Sequence, residues 1–131
     1  MSKRGISILS LVFIGIMILF GCDSAGKTPA YEQISAEEAK AIMENETGYV
    51  IIDARTEDEF SAGHIEGAIL IPEYEVADRA QNIIPDKDTL ILVYCRSGRR
   101  SKIASEALVA LGYTNVKEFG GIIDWPYETV K

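Results

Sequence analysis

The chain is predicted to fold as an α/β domain, a parallel sheet covered by helices on both faces. Three observations carry this. Strand-like runs are continuous rather than alternating in their apolar residues, as strands buried on both faces require. Helix-compatible segments separate them in regular alternation. Glycine and proline fall at the joints. In order, Ser35-Ala36-Glu37-Glu38 is a capping box that opens a helix through Met43 toward Asn45. Tyr49–Asp53 is a β-branched run bounded by Gly48, and Thr56–Ala62 is a polar helix capped by Thr56 or Asp53. Ala68–Ile71 is a second buried strand, stopped by Pro72. Glu73–Ile84 is a helix with Val76, Ala80, Ile83 and Ile84 on one stripe. Thr89–Tyr94 is the strongest strand signal, Ser101–Leu111 is an amphipathic helix ended by Gly112, and Asn115–Phe119 is a last strand. Gly120-Gly121 and a short helix near Trp125 follow, and no internal repeat is visible.

Before this domain comes a different kind of segment. Met1-Ser2-Lys3-Arg4 is basic and Ile6–Phe20 is almost wholly apolar. That run is shorter than the ~20 residues of a membrane-spanning helix and suits the apolar region of a secretory signal. Its end, Leu19-Phe20-Gly21-Cys22, resembles the lipobox of bacterial lipoproteins, with Phe20 bulkier than is usual there. The resemblance implies cleavage before Cys22 and a diacylglyceryl group on its thiol. The expected organisation is a signal peptide over 1–21, a lipidated flexible tether over 22–32, and the domain over 33–131. The protein would be exported and held on the outer face of the cell membrane or in the periplasm. Which membrane carries the anchor is open.

Cleavage leaves 110 of the 131 residues, enough for one core. It removes Lys3 and Arg4 and no acidic residue, so the formal charge of −7 becomes −9. An acidic domain of this kind argues against nucleic acid as a partner. Positive charge is instead concentrated in one place. Arg96, Arg99, Arg100 and Lys102 lie within seven residues, immediately after Cys95. Of the two cysteines, lipidation consumes Cys22, so Cys95 is a leftover thiol in an exported protein, where thiols usually pair. An inert core cysteine would not be set among glycine and arginines. An electropositive, partly exposed setting is what makes a thiolate reactive. Cys95 follows a central strand and Ser101 opens a helix, and open α/β sheets bind ligands at such strand ends. Loop N–H groups, helix dipole and arginines together would hold a thiolate, a persulfide or an incoming oxyanion.

Cys95-Arg96-Ser97-Gly98-Arg99-Arg100 resembles the active-site loop of rhodanese-family sulfurtransferases. Asp53-Ala54-Arg55, Glu59-Phe60 and Gly63-His64-Ile65-Glu66-Gly67-Ala68 resemble the family's first signature, and Gly120-Gly121-Ile122-Ile123-Asp124-Trp125 its ending. The likeness runs from Ile34 to about Tyr127. It implies a single rhodanese-like domain with a five-stranded parallel sheet flanked by helices on both faces. It also implies a ping-pong transfer in which Cys95 takes the outer sulfur of thiosulfate as a persulfide and passes it to cyanide or a thiol. In that reading the main chain from Arg96 to Arg100, Ser97 and Gly98 included, holds the persulfide. The side chains of Arg96, Arg99 and Arg100 bring in the dianion.

Asp53 and Arg55 read as a pair that fixes loops, and His64 as a residue satisfying backbone groups in a turn. Trp125 reads as core or lid, with core favoured. No cofactor is expected, and no metal site either, because one histidine and one free cysteine cannot make a zinc set. Two other classes stay open. Phosphatase or arsenate-reductase relatives have a loop longer by one residue, with arginine six positions after the cysteine. Here that position is Ser101 and Arg100 is five positions on, which favours sulfur. A sulfur-relay or binding module serving a protein acceptor would look identical in sequence.

Overall fold

The computed structural model describes residues 30–131. The proposed signal sequence and Cys22 lie outside the described residues. Five parallel strands form one sheet: β1 Glu32–Gln33, β2 Val50–Asp53, β3 Ile69–Leu70, β4 Ile91–Cys95 and β5 Val116–Gly121. Their spatial order is β1-β5-β4-β2-β3, so β4 lies at the centre and ends in Cys95. The helices are α1 Ala36–Asn45, α2 Glu57–Ala62, α3 Val76–Ile83 and α4 Arg99–Ala110.

All five residues of β4 are buried, as the unbroken apolar run requires. Period two divides them between two cores. Ile91, Val93 and Cys95 join Ile52, Val76, Ala80, Ala104, Leu108 and Val116 beneath α3 and α4. Leu92 and Tyr94 join Ala39, Ile51, Phe119 and Trp125 on the opposite face, beneath α1. The two faces predicted from the alternation of elements are both covered.

Several expectations need correction. The sheet's first strand, β1, was not anticipated. It is two polar residues long, so no pattern marks it, yet its register Glu32↔Lys117 extends the sheet beyond β5. Tyr31 beside it is already in the core, so the packed domain starts before residue 33. The run Ala68–Ile71 is a strand only at Ile69–Leu70, and Ile69 is exposed, because β3 is an edge with a single neighbour. The span Glu73–Ile84 is a 3-10 turn at Glu73–Glu75 followed by α3. α4 starts two residues before Ser101, because Gly98 turns the chain through φ 107°, a left-handed conformation in which glycine is at ease. That earlier start puts Ser101 inside the first turn rather than at its edge.

The β4–β5 register is regular to Val93↔Glu118 and then shifts to Cys95↔Gly121. Two steps on β4 are matched by three on β5. The extra residue is a bulge, of the kind that bends a strand beside a site.

Candidate active site

Cys95 lies at the floor of a loop, 1% exposed. This corrects the expected partly exposed setting. β4 delivers the sulfur, and the chain then turns over it so that the Gly98 N–H donates to Sγ at 3.0 Å and the Ser101 Oγ lies at 3.4 Å. Burial pushes the thiol up. The Ser101 hydroxyl and the N–H groups of Ser101, Gly98 and Ser97 pull it down further, and the net is a thiol below its ordinary value. Short-range hydrogen bonds, more than the charge of the arginines, favour the thiolate. α4 has no side-chain cap at its start, so its first N–H groups are left for the sulfur.

The loop is seated on the turn at the end of β5. The Arg96 carbonyl accepts the Ile123 N–H at 3.2 Å. A Cβ at Gly121 would collide with that carbonyl and lie 2.6 Å from the Ser97 Cα, so only glycine permits the approach.

The structure separates the three arginines. Arg96 and Arg99 are exposed, with no carboxylate at ion-pair distance among the described residues. Arg100 reaches back to α2, where Nη1 and Nη2 donate to the Glu59 carboxylate at 2.7 and 2.9 Å. Glu59 also closes the capping box with Thr56. In the sequence it was legible only as part of a signature, without a role. The Arg100 guanidinium pulls the Glu59 carboxyl down to about 2, against burial and with help from Thr56. A depressed carboxylate adds stability above its unfolded value, here 4.5, and loses it as the pH falls through about 2. Wild type should therefore exceed Glu59→Gln by about 1–2 kcal/mol near neutral pH, allowing for solvent screening. Urea denaturation across the acid range should show that gap closing below pH 4.5 and vanishing near pH 2. A gap independent of pH would deny the ion pair that role.

Asp53 and Arg55 sit at the neighbouring strand end as a buried pair. Arg55 donates from Nε to Oδ1 at 3.0 Å and from Nη2 to Oδ2 at 2.7 Å, and its own N–H reaches Oδ1. The second Nη2 hydrogen bond goes to the Gly63 carbonyl at 2.7 Å. Tyr94 adds a third anchor. Its hydroxyl donates to Asp53 Oδ2 at 2.6 Å and accepts the Ile65 N–H at 3.1 Å. Burial, with the Asp53 carboxylate beside it, pushes the phenol up, so it stays a donor. Sequence reading missed Tyr94, which belongs to an apolar run. His64 stacks on Phe60, with ring centroids 3.7 Å apart, and donates from Nδ1 to the Phe60 carbonyl at 2.8 Å. Its backbone pairs with Val130, so it secures the chain end. Trp125 packs on Phe119 and Tyr127 within the second core.

The arrangement can generate and hold a sulfur anion in a pocket of N–H donors. Among the described residues, no group of three or more His, Cys, Asp or Glu is placed to hold a metal ion.

Known proteins resemble this chain over most of the described domain. The family model for the rhodanese-like domain matches residues 35–126. Thiosulfate sulfurtransferase PspE of Escherichia coli is 41% identical over 80 residues, covering 61% of this chain and 77% of that protein. The putative sulfur carrier protein YrkF of Bacillus subtilis is 30% identical over 110 residues, covering 83% and 58%. A solved structure described as rhodanese with anions from E. coli superposes with TM-score 0.60 at 40% identity, covering 63% of this chain and 98% of that one. The chain belongs to the rhodanese-like domain family and is a sulfurtransferase.

Proposed function

We infer that the chain moves sulfane sulfur from thiosulfate to a thiophilic acceptor through a persulfide on Cys95. The observation that carries this is the Cys95 sulfur under the Gly98 N–H at 3.0 Å, with its thiol held below the ordinary value. The thiolate attacks the outer sulfur of thiosulfate, the S–S bond breaks and sulfite leaves with the bonding pair. The persulfide anion then gives its terminal sulfur to cyanide or a thiol, restoring the thiolate. Loop N–H groups that hold the thiolate are suited to hold the persulfide charge as well. Arg96 and Arg99, exposed and unpaired among the described residues, are the side chains free to draw in a dianion. Arg100 does so only at the expense of Glu59. The similarity to PspE supports thiosulfate as donor. Mass spectrometry after incubation with thiosulfate should find one added sulfur, located on Cys95. An unchanged mass sinks the reading.

A protein acceptor is the second reading. It is favoured by the likeness to a putative sulfur carrier protein and by Ile123, which is 58% exposed and joined to the loop through Arg96. A phosphatase or arsenate reductase is disfavoured, because Ser101 stands where such chemistry has its arginine and the neighbouring Arg100 is bound to Glu59.

Membrane anchoring through Cys22 completes the proposal, supported by the sequence 19–22 alone. Cys22→Ser should abolish acylation and release the protein from membranes or leave an unprocessed precursor. Identical fractionation of the two forms, neither carrying acyl chains, would refute it.

A further inference from the structure

Two carboxylates are buried among the described residues, and they are treated differently. Asp53 has Arg55. Glu118, 3% exposed, has no cation at ion-pair distance among the described residues. Strand parity explains its position: Val116 and Glu118 face α4, while Phe119 faces the opposite core. The Gly120 N–H donates to Glu118 Oε1 at 2.7 Å, and the Ser101 Oγ lies 2.6 Å from the same oxygen. The same Oγ is 3.4 Å from the Cys95 sulfur.

A serine hydroxyl has one proton. At Ser101 it has competing acceptors, the Glu118 carboxylate, the Gly98 carbonyl at 3.0 Å and the Gly120 carbonyl at 3.4 Å, while the Cys95 thiol donates to Oγ. While Glu118 is charged, the short contact draws the proton to Oε1, and Oγ can only accept from the Cys95 thiol. When Glu118 carries a proton, it donates to Oγ, and the hydroxyl can turn to the thiolate, whose charge outcompetes the neutral Gly98 and Gly120 carbonyls. Thiolate on Cys95 and a proton on Glu118 therefore belong to one state of the network. Two anions joined through a single buried hydroxyl are opposed by their like charge.

We propose that Glu118 is the internal acceptor of the Cys95 proton, through Ser101, so that one proton is shared between sulfur and carboxylate during sulfur transfer. This rests on the sulfur-transfer reading above. In the first half-reaction, thiol, Glu118 carboxylate and thiosulfate become persulfide anion, protonated Glu118 and sulfite. The thiol proton moves to Oε1 by way of Oγ, the new S–S bond forms at Cys95, and the thiosulfate S–S bond breaks. Charge is three negative on each side. Attack by cyanide then yields thiocyanate, and the proton returns from Glu118 to the sulfur. Glu118 touches no substrate, so it is a positioning residue for the proton.

The other charged groups around this line are engaged or outward. Asp53 is held by Arg55 and Tyr94, Glu59 by Arg100, Lys117 by Glu32, and Glu75 by Arg79. Arg96, Arg99, Lys102, Glu106, Asp124, Asp78 and Thr-flanked Asp88 are exposed, and Glu73 is half-buried at the turn packed against α4.

The test is the ultraviolet absorbance of the thiolate as a function of pH in the full chain, with Cys95→Ser subtracted to remove Cys22. Wild type should titrate in two steps, since the shared proton gives a partial thiolate at low pH and a complete one at high pH. Glu118→Gln, whose amide donates permanently to Ser101, should lose one step and titrate once, at lower pH than the upper wild-type step. If Glu118→Gln does not fold, Ser101→Ala, which cuts the line but keeps the carboxylate, should likewise show one step. A single wild-type step with the same midpoint in either variant overturns the proposal. Mass spectrometry after thiosulfate separates the two ideas. An added sulfur with unaltered titration refutes the relay alone, whereas no added sulfur in wild type refutes the sulfur-transfer reading and leaves the titration to judge the relay.

Discussion

Cys95→Ser is expected to bring thiosulfate-dependent sulfur transfer to the uncatalysed background and to abolish the added sulfur. Both follow from one atom. The proposed cycle makes and breaks an S–S bond at Sγ, and an oxygen in that place forms no such bond. A serine hydroxyl is also not ionised by the few hydrogen bonds that suffice for a thiol. The fold should survive, because the new Oγ fits the same space and can accept the Gly98 N–H that now reaches the sulfur at 3.0 Å. Thermal unfolding should move by no more than about 1 kcal/mol. Residual turnover in a folded Cys95→Ser protein would remove Cys95 from the chemistry. Loss of turnover with loss of the fold would leave its role undecided, so the melting curve belongs with the assay.

Asp53→Ala is expected to be the most destabilising single change near the site. Asp53 is fully buried and accepts from the Arg55 main chain, the Arg55 guanidinium and Tyr94. Burial works against the Arg55 charge, and Asp53 is what overcomes it and holds the guanidinium above its ordinary value. Removal of the carboxylate leaves a 5%-exposed cation without its counter-ion and a phenol without its acceptor. Breaking a buried pair in this way costs about 3–5 kcal/mol. In a domain of this size that lowers Tm by on the order of 20 °C. Adding Arg55→Met should recover part of the loss, since the uncompensated charge goes with it. A cost below about 1 kcal/mol for Asp53→Ala, or a double variant less stable than the sum of the single losses, would show that the pair does not organise this corner.

The loop was legible because its chemistry is contiguous. Cys95 to Arg100 places the nucleophile, the turn glycine and the cations in one word of sequence, and strand followed by helix gave it a strand-end position. The central strands were legible for a related reason, since burial on both faces leaves an unbroken apolar run. What escaped has another physical character. β1 is a strand only because β5 offers it an edge, and Glu32-Gln33 carries no mark of that. The partners of the loop come from far along the chain: Glu59 is 41 residues before Arg100, and Glu118 is 17 after Ser101. A charged residue in a strand reads as solvent-facing. Parity held the available signal, for Glu118 shares its strand face with Val116 in a strand that lies inside the sheet. Charge near the thiol was visible, but its destination was not. The sequence could not show that Arg100 is bound to α2 while Arg96 and Arg99 remain outward.

The depth of Cys95 also decides what kind of sulfur compound can form there. A disulfide with another folded protein needs two Cβ atoms brought to about 3.8 Å across the S–S bond, and a sulfur at the floor of the loop denies a second backbone that approach. A small anion has no such requirement. The proposed persulfide would carry its terminal sulfur about 2 Å beyond Sγ, while the protein's own sulfur stays covered. The depth of the sulfur thus works as a size filter against cross-linking. Under the export and sulfur transfer proposed above, that depth would let Cys95 remain a renewable carrier rather than one half of a permanent bridge.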